Sequence, residues 1–135
     1  VLPRDYAFGG DAVKTLTLSA LPKTWLIDID GTLVRHNGYL HGKDELLGGV
    51  REFFASLPKD DIVILLTARA AQDLPALREF LAQNGVHYNQ ILTDLPVGER
   101  ILINDTKPSG LQTAFAINKR RDSEFQIKVK IDENL

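Results

Sequence analysis

The sequence predicts an α/β protein, an open sandwich in which a mainly parallel sheet is covered by helices. Three observations lead there. Short apolar runs alternate with segments whose apolar residues recur at helical spacing. Three of those runs end in polar residues, Asp28 and Asp30, then Thr67, then Asn104 and Asp105, and the carboxyl ends of parallel strands are where such sheets bind ligands. The chain of 135 residues, 44% of them hydrophobic, is large enough for one buried core and has no linker that would divide it, so residues 1–135 read as one domain.

Residues 1–22 mix Pro3, Gly9, Gly10 and Pro22 with a weakly alternating middle, Val13, Leu16 and Leu18, which reads as an N-terminal arm whose central part adds a strand. Residues 25–29, Trp-Leu-Ile-Asp-Ile, form a short apolar run that reads as a strand buried on both faces, with Trp25 in the core. The turn-rich segment 34–43 suggests a small flap. A helix is expected next, capped by Asp44, carrying Leu47, Val50, Phe54 and Leu57 on one face and stopped by Pro58. The run 62–66 is a second buried strand. The helix after it has Pro75 near its start, Leu77, Phe80 and Leu81 on its apolar face, and Gly85 at its C-cap. Runs at 90–92 and 101–103 continue the alternation, and 111–117 with 125–131 are expected to close the sheet as a C-terminal β-hairpin.

A net charge of −2 and a pI near 5.9 argue against binding nucleic acid through a broad basic surface, while leaving room for a local anion site. The absence of cysteine excludes disulfides, thiolate metal sites and thiol nucleophiles. No apolar stretch is long enough to span a bilayer, so a cytoplasmic location with no membrane partner is the expectation.

The chemistry concentrates at residues 28–32. Two carboxylates one residue apart at the end of an apolar strand repel and desolvate one another unless a positive group joins them. A hard dication answers that need, and an all-oxygen donor set favours Mg²⁺, with Asp28, Asp30 and Asp105 as candidate ligands. Gly31 permits a tight turn, and the N–H groups around Gly31 and Thr32 are placed to cradle phosphate. Plainer readings exist for the other polar residues. His36 and His41 read as solvated flap residues, His87 as structural, and the basic run Lys119, Arg120 and Arg121 as an exposed turn.

Asp28-Ile-Asp30-Gly31-Thr32 after an apolar strand resembles the first motif of haloacid-dehalogenase-type phosphohydrolases. Thr67, ending Ile-Val-Ile-Leu-Leu-Thr, resembles the second motif, and Asp105 after Arg-Ile-Leu-Ile-Asn the fourth, acidic one. The resemblance covers residues 24–110 and implies a Rossmann-like core and a phosphomonoesterase of the capless type. Asp28 would attack phosphorus to form an aspartyl-phosphate that water then hydrolyses. Asp30 would act as general acid and then base, and Thr67 would hold the transferring group. Magnesium would sit between the Asp28 carboxylate, the Asp30 carbonyl and Asp105. Asn104 stands where an acidic residue is common in the family and would assist the metal indirectly. Gly31, Thr32, Ala68, Arg69 and Arg100 would line the substrate.

The departure is the third motif, because no lysine lies between Lys59 and Lys107. Lys107 and Arg100 are the candidates for its charge, and Lys107 is the favoured one because its loop leaves the site directly. The gaps 31–66 and 68–104 are too short for a cap domain. An open site suits a phosphorylated small molecule, a polymer end, or a cap lent by another subunit. Arg69 is placed to meet a second anionic group, as in capsule-type sugar phosphatases and the phosphatase half of polynucleotide kinases.

Two other functions compete. A receiver domain has similar size, acidity and magnesium, but keeps its acidic pair and its phosphorylated aspartate on different strands. A non-catalytic phosphate- or partner-binding module would retain the fold and lose turnover, and the missing lysine motivates that reading.

Overall fold

The computed structural model describes residues 13–135, so residues 1–12 of the expected arm lie outside the described residues. The strands are β1 (Lys14–Leu18), β2 (Thr24–Asp28), β3 (Ile62–Leu66), β4 (Gln90–Leu92) and β5 (Ile127–Ile131). The helices are α1 (Val50–Ser56) and α2 (Leu74–Gln83), and two 3-10 turns span Gly38–His41 and Ala71–Asp73. All strand pairs are parallel. One sheet has the order β2-β3-β4, and β1 pairs with β5 in a second, two-stranded sheet.

The three-stranded sheet follows from two strand–helix–strand units, each returning the chain to the same end of the neighbouring strand. In β2 and β3 the alternation of side chains matches the register. Trp25 pairs with Val63 and Ile27 with Leu65, and these inward residues join Val50, Phe53 and Phe54 of α1 and Leu77 and Leu81 of α2 in one apolar cluster. Edge-to-face contacts between Trp25 and Phe53 and between Phe53 and Phe54 fill its centre. Asp61 pins the start of the sheet, accepting from the Lys23 backbone at 3.0 Å and from the Trp25 indole at 2.9 Å. His87 is structural as expected, its ring bonded to the Phe54 carbonyl and packed on the Phe54 ring.

The opposite face of this sheet is uncovered among the described residues. Leu26, Ile62 and Leu92 on it are each more than 40% exposed, so the expected sandwich is covered on one side only.

Four local expectations need correction. The first helix begins at Val50 rather than after Asp44, because Gly48 and Gly49 are taken up by a close crossing. The Phe125 N–H donates to the Gly48 carbonyl at 2.7 Å, and Gly49 sits at φ 88, where a Cβ would fall 2.2 Å from the Phe125 carbonyl oxygen. That backbone admits only glycine and starts the helix one residue later. Leu47 of the expected helical face is buried in the preceding loop.

Residues 101–103 form no strand, and Ile101 and Ile103 are 83% and 91% exposed. Apolar alternation shows that a run would gain from burial and does not name the strand edge it should join. Here the chain is held by Arg100 on Asp28 and by the Thr113 hydroxyl on the Asp105 carbonyl.

Residues 111–117 also form no strand, and the C-terminal hairpin is absent. The turn at 120–123 is anchored to the loop after β2 by the Asp122 N–H on the Gly31 carbonyl, which draws Phe125 into the core. Residues 127–131 then pair with β1 in parallel, with Lys14 opposite Ile127 and Leu18 opposite Ile131. The second expected helix is present, with Pro75 in its first turn and its last turn closed at Asn84.

Candidate active site

At the end of β2 the chain folds back on itself. The Ile29 N–H continues the ladder to Leu66, and the Ile29 carbonyl then accepts from the N–H groups of Thr32, Leu33 and Val34, while the Gly31 N–H donates to the Val34 carbonyl; the N–H groups of Gly31 and Thr32 expected to cradle phosphate are thus bonded within the turn. Gly31, at φ 83, makes the reversal without strain. The turn leaves Asp28 35% exposed at the mouth, with the Thr32 hydroxyl donating to its Oδ2 at 2.8 Å.

The loop after β3 is fixed from the other side. The carbonyls of Thr67 and Arg69 accept from the N–H groups of Leu95 and Asp94, so the ends of β3 and β4 clamp each other. Thr67, fully buried, donates its hydroxyl to Asp30 Oδ2 at 2.8 Å and accepts from the Arg69 N–H at 3.0 Å. The structure thus pairs Asp28 with Thr32 and Asp30 with Thr67.

Arg69 is the most buried charge here, its side chain 3% exposed. Its Nε and Nη2 donate to Asp30 Oδ1 at 2.9 and 2.7 Å, and its Nη1 and Nη2 donate to the two oxygens of Asp44 at 3.0 and 2.7 Å. The Tyr39 ring stacks on the guanidinium at 3.8 Å. Burial alone would weaken the charge, but the hydrogen bonds and charges of Asp44 and Asp30 outweigh it and hold the guanidinium's pKa above the ordinary arginine value. Four of the five guanidinium N–H groups already donate to Asp30 and Asp44.

The counter-charge on Asp28 is Arg100, whose Nη1 donates to Oδ1 at 2.7 Å. The favoured candidate, Lys107, lies in an exposed turn closed by the Gly110 N–H on its carbonyl, and among the described residues it forms no ion pair with Asp28. Arg100 prevails because it directly precedes the exposed run and its long side chain reaches back to the strand end. Ala68 is exposed beside Thr67.

Asn104 and Asp105 lie in the exposed segment, where Thr113 binds both, its carbonyl taking Asn104 Nδ2 at 3.4 Å. Among the described residues no three carboxylates or histidines gather where a metal ion would sit. The carboxylate oxygens of Asp28, Asp30 and Asp105 match Mg²⁺ in donor type. The repulsion between Asp28 and Asp30 is relieved by two guanidiniums of the chain itself, Arg100 and Arg69.

Sequence reasoning missed Asp44, Tyr39 and Asp122. Asp44 reads locally as a helix cap and meets its partner only across the flap, at Arg69. Asp122 accepts the His36 N–H at 2.7 Å from a position far along the chain. Nothing local in the sequence signals either contact. A shallow depression between Lys43, Glu45, Arg51 and Asn84 lies on the helical side and shares only Asp44 with the site. Compared with known proteins, the chain matches no family model, no curated protein and no solved structure.

Proposed function

We propose that this protein hydrolyses phosphate monoesters through an aspartyl-phosphate on Asp28. The observation that carries the reading is the half-open Asp28 carboxylate, oriented by the Thr32 hydroxyl and faced by the Arg100 guanidinium, one residue from a second carboxylate held by Thr67 and Arg69. An Asp28 oxygen attacks phosphorus while the bond to the leaving oxygen breaks. Asp30, the general acid that the motif resemblance implies, gives that oxygen a proton taken up from solvent in place of a hydrogen bond from Arg69 or Thr67. Asp30 then takes a proton from water, which attacks the acyl phosphate, releases inorganic phosphate and restores both groups. Arg100 exchanges Asp28 for the oxygens of the incoming phosphoryl group, which offer the same charge-assisted hydrogen bonds. The motif resemblance supports the same reading and adds magnesium as the expected cofactor; no step above runs through the metal.

A second reading, a phosphate-binding module without turnover, is favoured by one observation: both oxygens of Asp30 already accept hydrogen bonds from Arg69 and Thr67. Phosphate release separates the two. Wild-type and Asp28→Asn protein are assayed with p-nitrophenyl phosphate, sugar phosphates, nucleotides and phosphorylated DNA ends, in magnesium or in EDTA. Release that needs magnesium and disappears in the variant supports hydrolysis. Folded wild-type protein that releases phosphate from none of these esters rejects it.

A further inference from the structure

The flap and the strand ends meet at one side chain. At the base of the flap the Leu47 N–H donates to the Leu33 carbonyl at 2.9 Å and the Arg35 N–H to the Glu45 carbonyl at 3.0 Å, with Val34 and Leu46 in an antiparallel bridge between them. This base carries Tyr39 and Asp44 to Arg69, whose N–H donates to the Thr67 hydroxyl oxygen and whose carbonyl accepts from Asp94.

The guanidinium is held on three sides. Its Nε and Nη2 meet Asp30 Oδ1, its Nη1 and Nη2 meet the two oxygens of Asp44, and the Tyr39 ring covers one face. Carboxylates on two edges and a ring on one face fix both the plane of the group and its direction within that plane. Asp44 is the more buried of the two carboxylates, although it belongs to the flap and Asp30 follows the strand that ends in the proposed nucleophile.

Asp30 cannot act while it keeps all of these bonds. One of its oxygens takes both contacts from Arg69 and the other takes the Thr67 hydroxyl, so an oxygen that turns to the leaving group gives up one partner. Where Thr67 is given up, Arg69 is the remaining anchor and its direction sets that of Asp30. Where Arg69 is given up, the buried guanidinium keeps a carboxylate only through Asp44, and a buried charge left without a partner is strongly destabilising. Both routes depend on Asp44.

We infer that Asp44 is a positioning residue for Asp30: acting through Arg69, it keeps the second carboxylate aimed at the leaving oxygen, so that esters whose leaving group needs a proton depend on it. The inference rests on the phosphomonoesterase reading and gives the flap a part in that reaction.

The test is kcat/KM, in magnesium and at one pH, for a series from p-nitrophenyl through phenyl to ethyl phosphate. Wild-type, Asp44→Ala and Asp44→Asn protein are compared, each checked for folding by circular dichroism. p-Nitrophenolate leaves without a proton and ethoxide does not, so the series separates the aim of Asp30 from the integrity of the site. Asp44→Ala should lower kcat/KM by less than about threefold for p-nitrophenyl phosphate, about tenfold for phenyl phosphate and about 10²-fold for ethyl phosphate, the scale for a displaced catalytic group. Asp44→Asn, which fills the same space and keeps an oxygen for Arg69, should show the same trend at smaller size and carries the test if the alanine variant does not fold. Glu45→Ala removes the neighbouring flap carboxylate, which pairs with Arg35 on the surface, and should leave the ratios between esters unchanged. Equal losses along the series in folded protein, or no loss at all, overturn the role of Asp44 while hydrolysis stands. A wild type that cleaves p-nitrophenyl phosphate alone has no working acid at Asp30 and overturns the role as well. A wild type that cleaves no ester rejects hydrolysis, and the role of Asp44 with it.

Discussion

Replacing Arg69 with methionine tests the electrostatic centre of the site. The guanidinium donates four hydrogen bonds to Asp30 and Asp44, whose side chains are 16% and 8% exposed. Taken singly, four charge-assisted bonds would suggest about 6 to 12 kcal/mol, but they share one cation and replace bonds to water, so they do not add. The better measure is the cost of leaving buried charge without its partner, about 3–5 kcal/mol. A domain of this size has a total stability of about 5–15 kcal/mol, so the variant should lie near the edge of folding. Urea unfolding followed by Trp25, the sole tryptophan, reads the loss directly, because its ring packs on Phe53 and its indole donates to Asp61. With a slope of about 1–3 kcal/mol per molar, the midpoint should fall by more than about 1 M. The double variant Arg69→Met with Asp44→Asn should recover part of the loss, since it removes one of the two stranded charges. A loss below about 1 kcal/mol, or a double variant no more stable than the single, would show that the flap simply opens and rehydrates both carboxylates, and the argument would fail.

The remaining predictions are smaller. Arg100→Ala should lower kcat/KM for p-nitrophenyl phosphate by about 10²-fold, the scale for removing one donor to a developing charge, and Lys107→Ala should change it less than twofold; equal effects would return Lys107 to the site. Gly49→Ala should destabilise by at least about 2 kcal/mol in the same urea assay, because it combines positive φ with the approach of the Phe125 carbonyl. Amides 101–105, which have no ladder partner, should exchange with solvent at nearly unfolded rates in metal-free protein, and strong protection measured by hydrogen exchange would place that run in the sheet. Because the Arg69 pKa is raised, the guanidinium's contribution is fully present below the unfolded arginine value and is lost only as pH rises through the folded one. The Arg69→Met deficit should therefore stay constant from pH 7 to about pH 10.

The elements with strong local signals were legible in sequence. The strand ending in Asp28, the run at 62–66 and the helix opened by Pro75 each carry periodicity and punctuation in adjacent residues. So was the meeting of Asp30 and Thr67, because parallel strands bring their carboxyl ends to one edge. What escaped depends on pairing over distance. Asp44 looks like a cap until Arg69 claims it, the run 125–131 shows an amphipathic strand but not that β1 is its neighbour, and Arg100 and Lys107 are equivalent until side-chain reach is known. A need for positive charge beside two carboxylates was readable, and its sharing between Arg69 on Asp30 and Arg100 on Asp28 was not.

The parallel pairing of β1 with β5 joins Lys14 to Ile127. The units β2–α1–β3 and β3–α2–β4 close short loops and assemble from nearby residues, whereas the β1–β5 ladder draws together nearly the whole described chain and bears a larger loop-closure entropy before any contact rewards it. The turn carrying Arg121 and Asp122 arrives with that last strand. Strand β2, which ends in Asp28, is therefore expected to form before the turn at 120–123 docks on the Gly31 carbonyl.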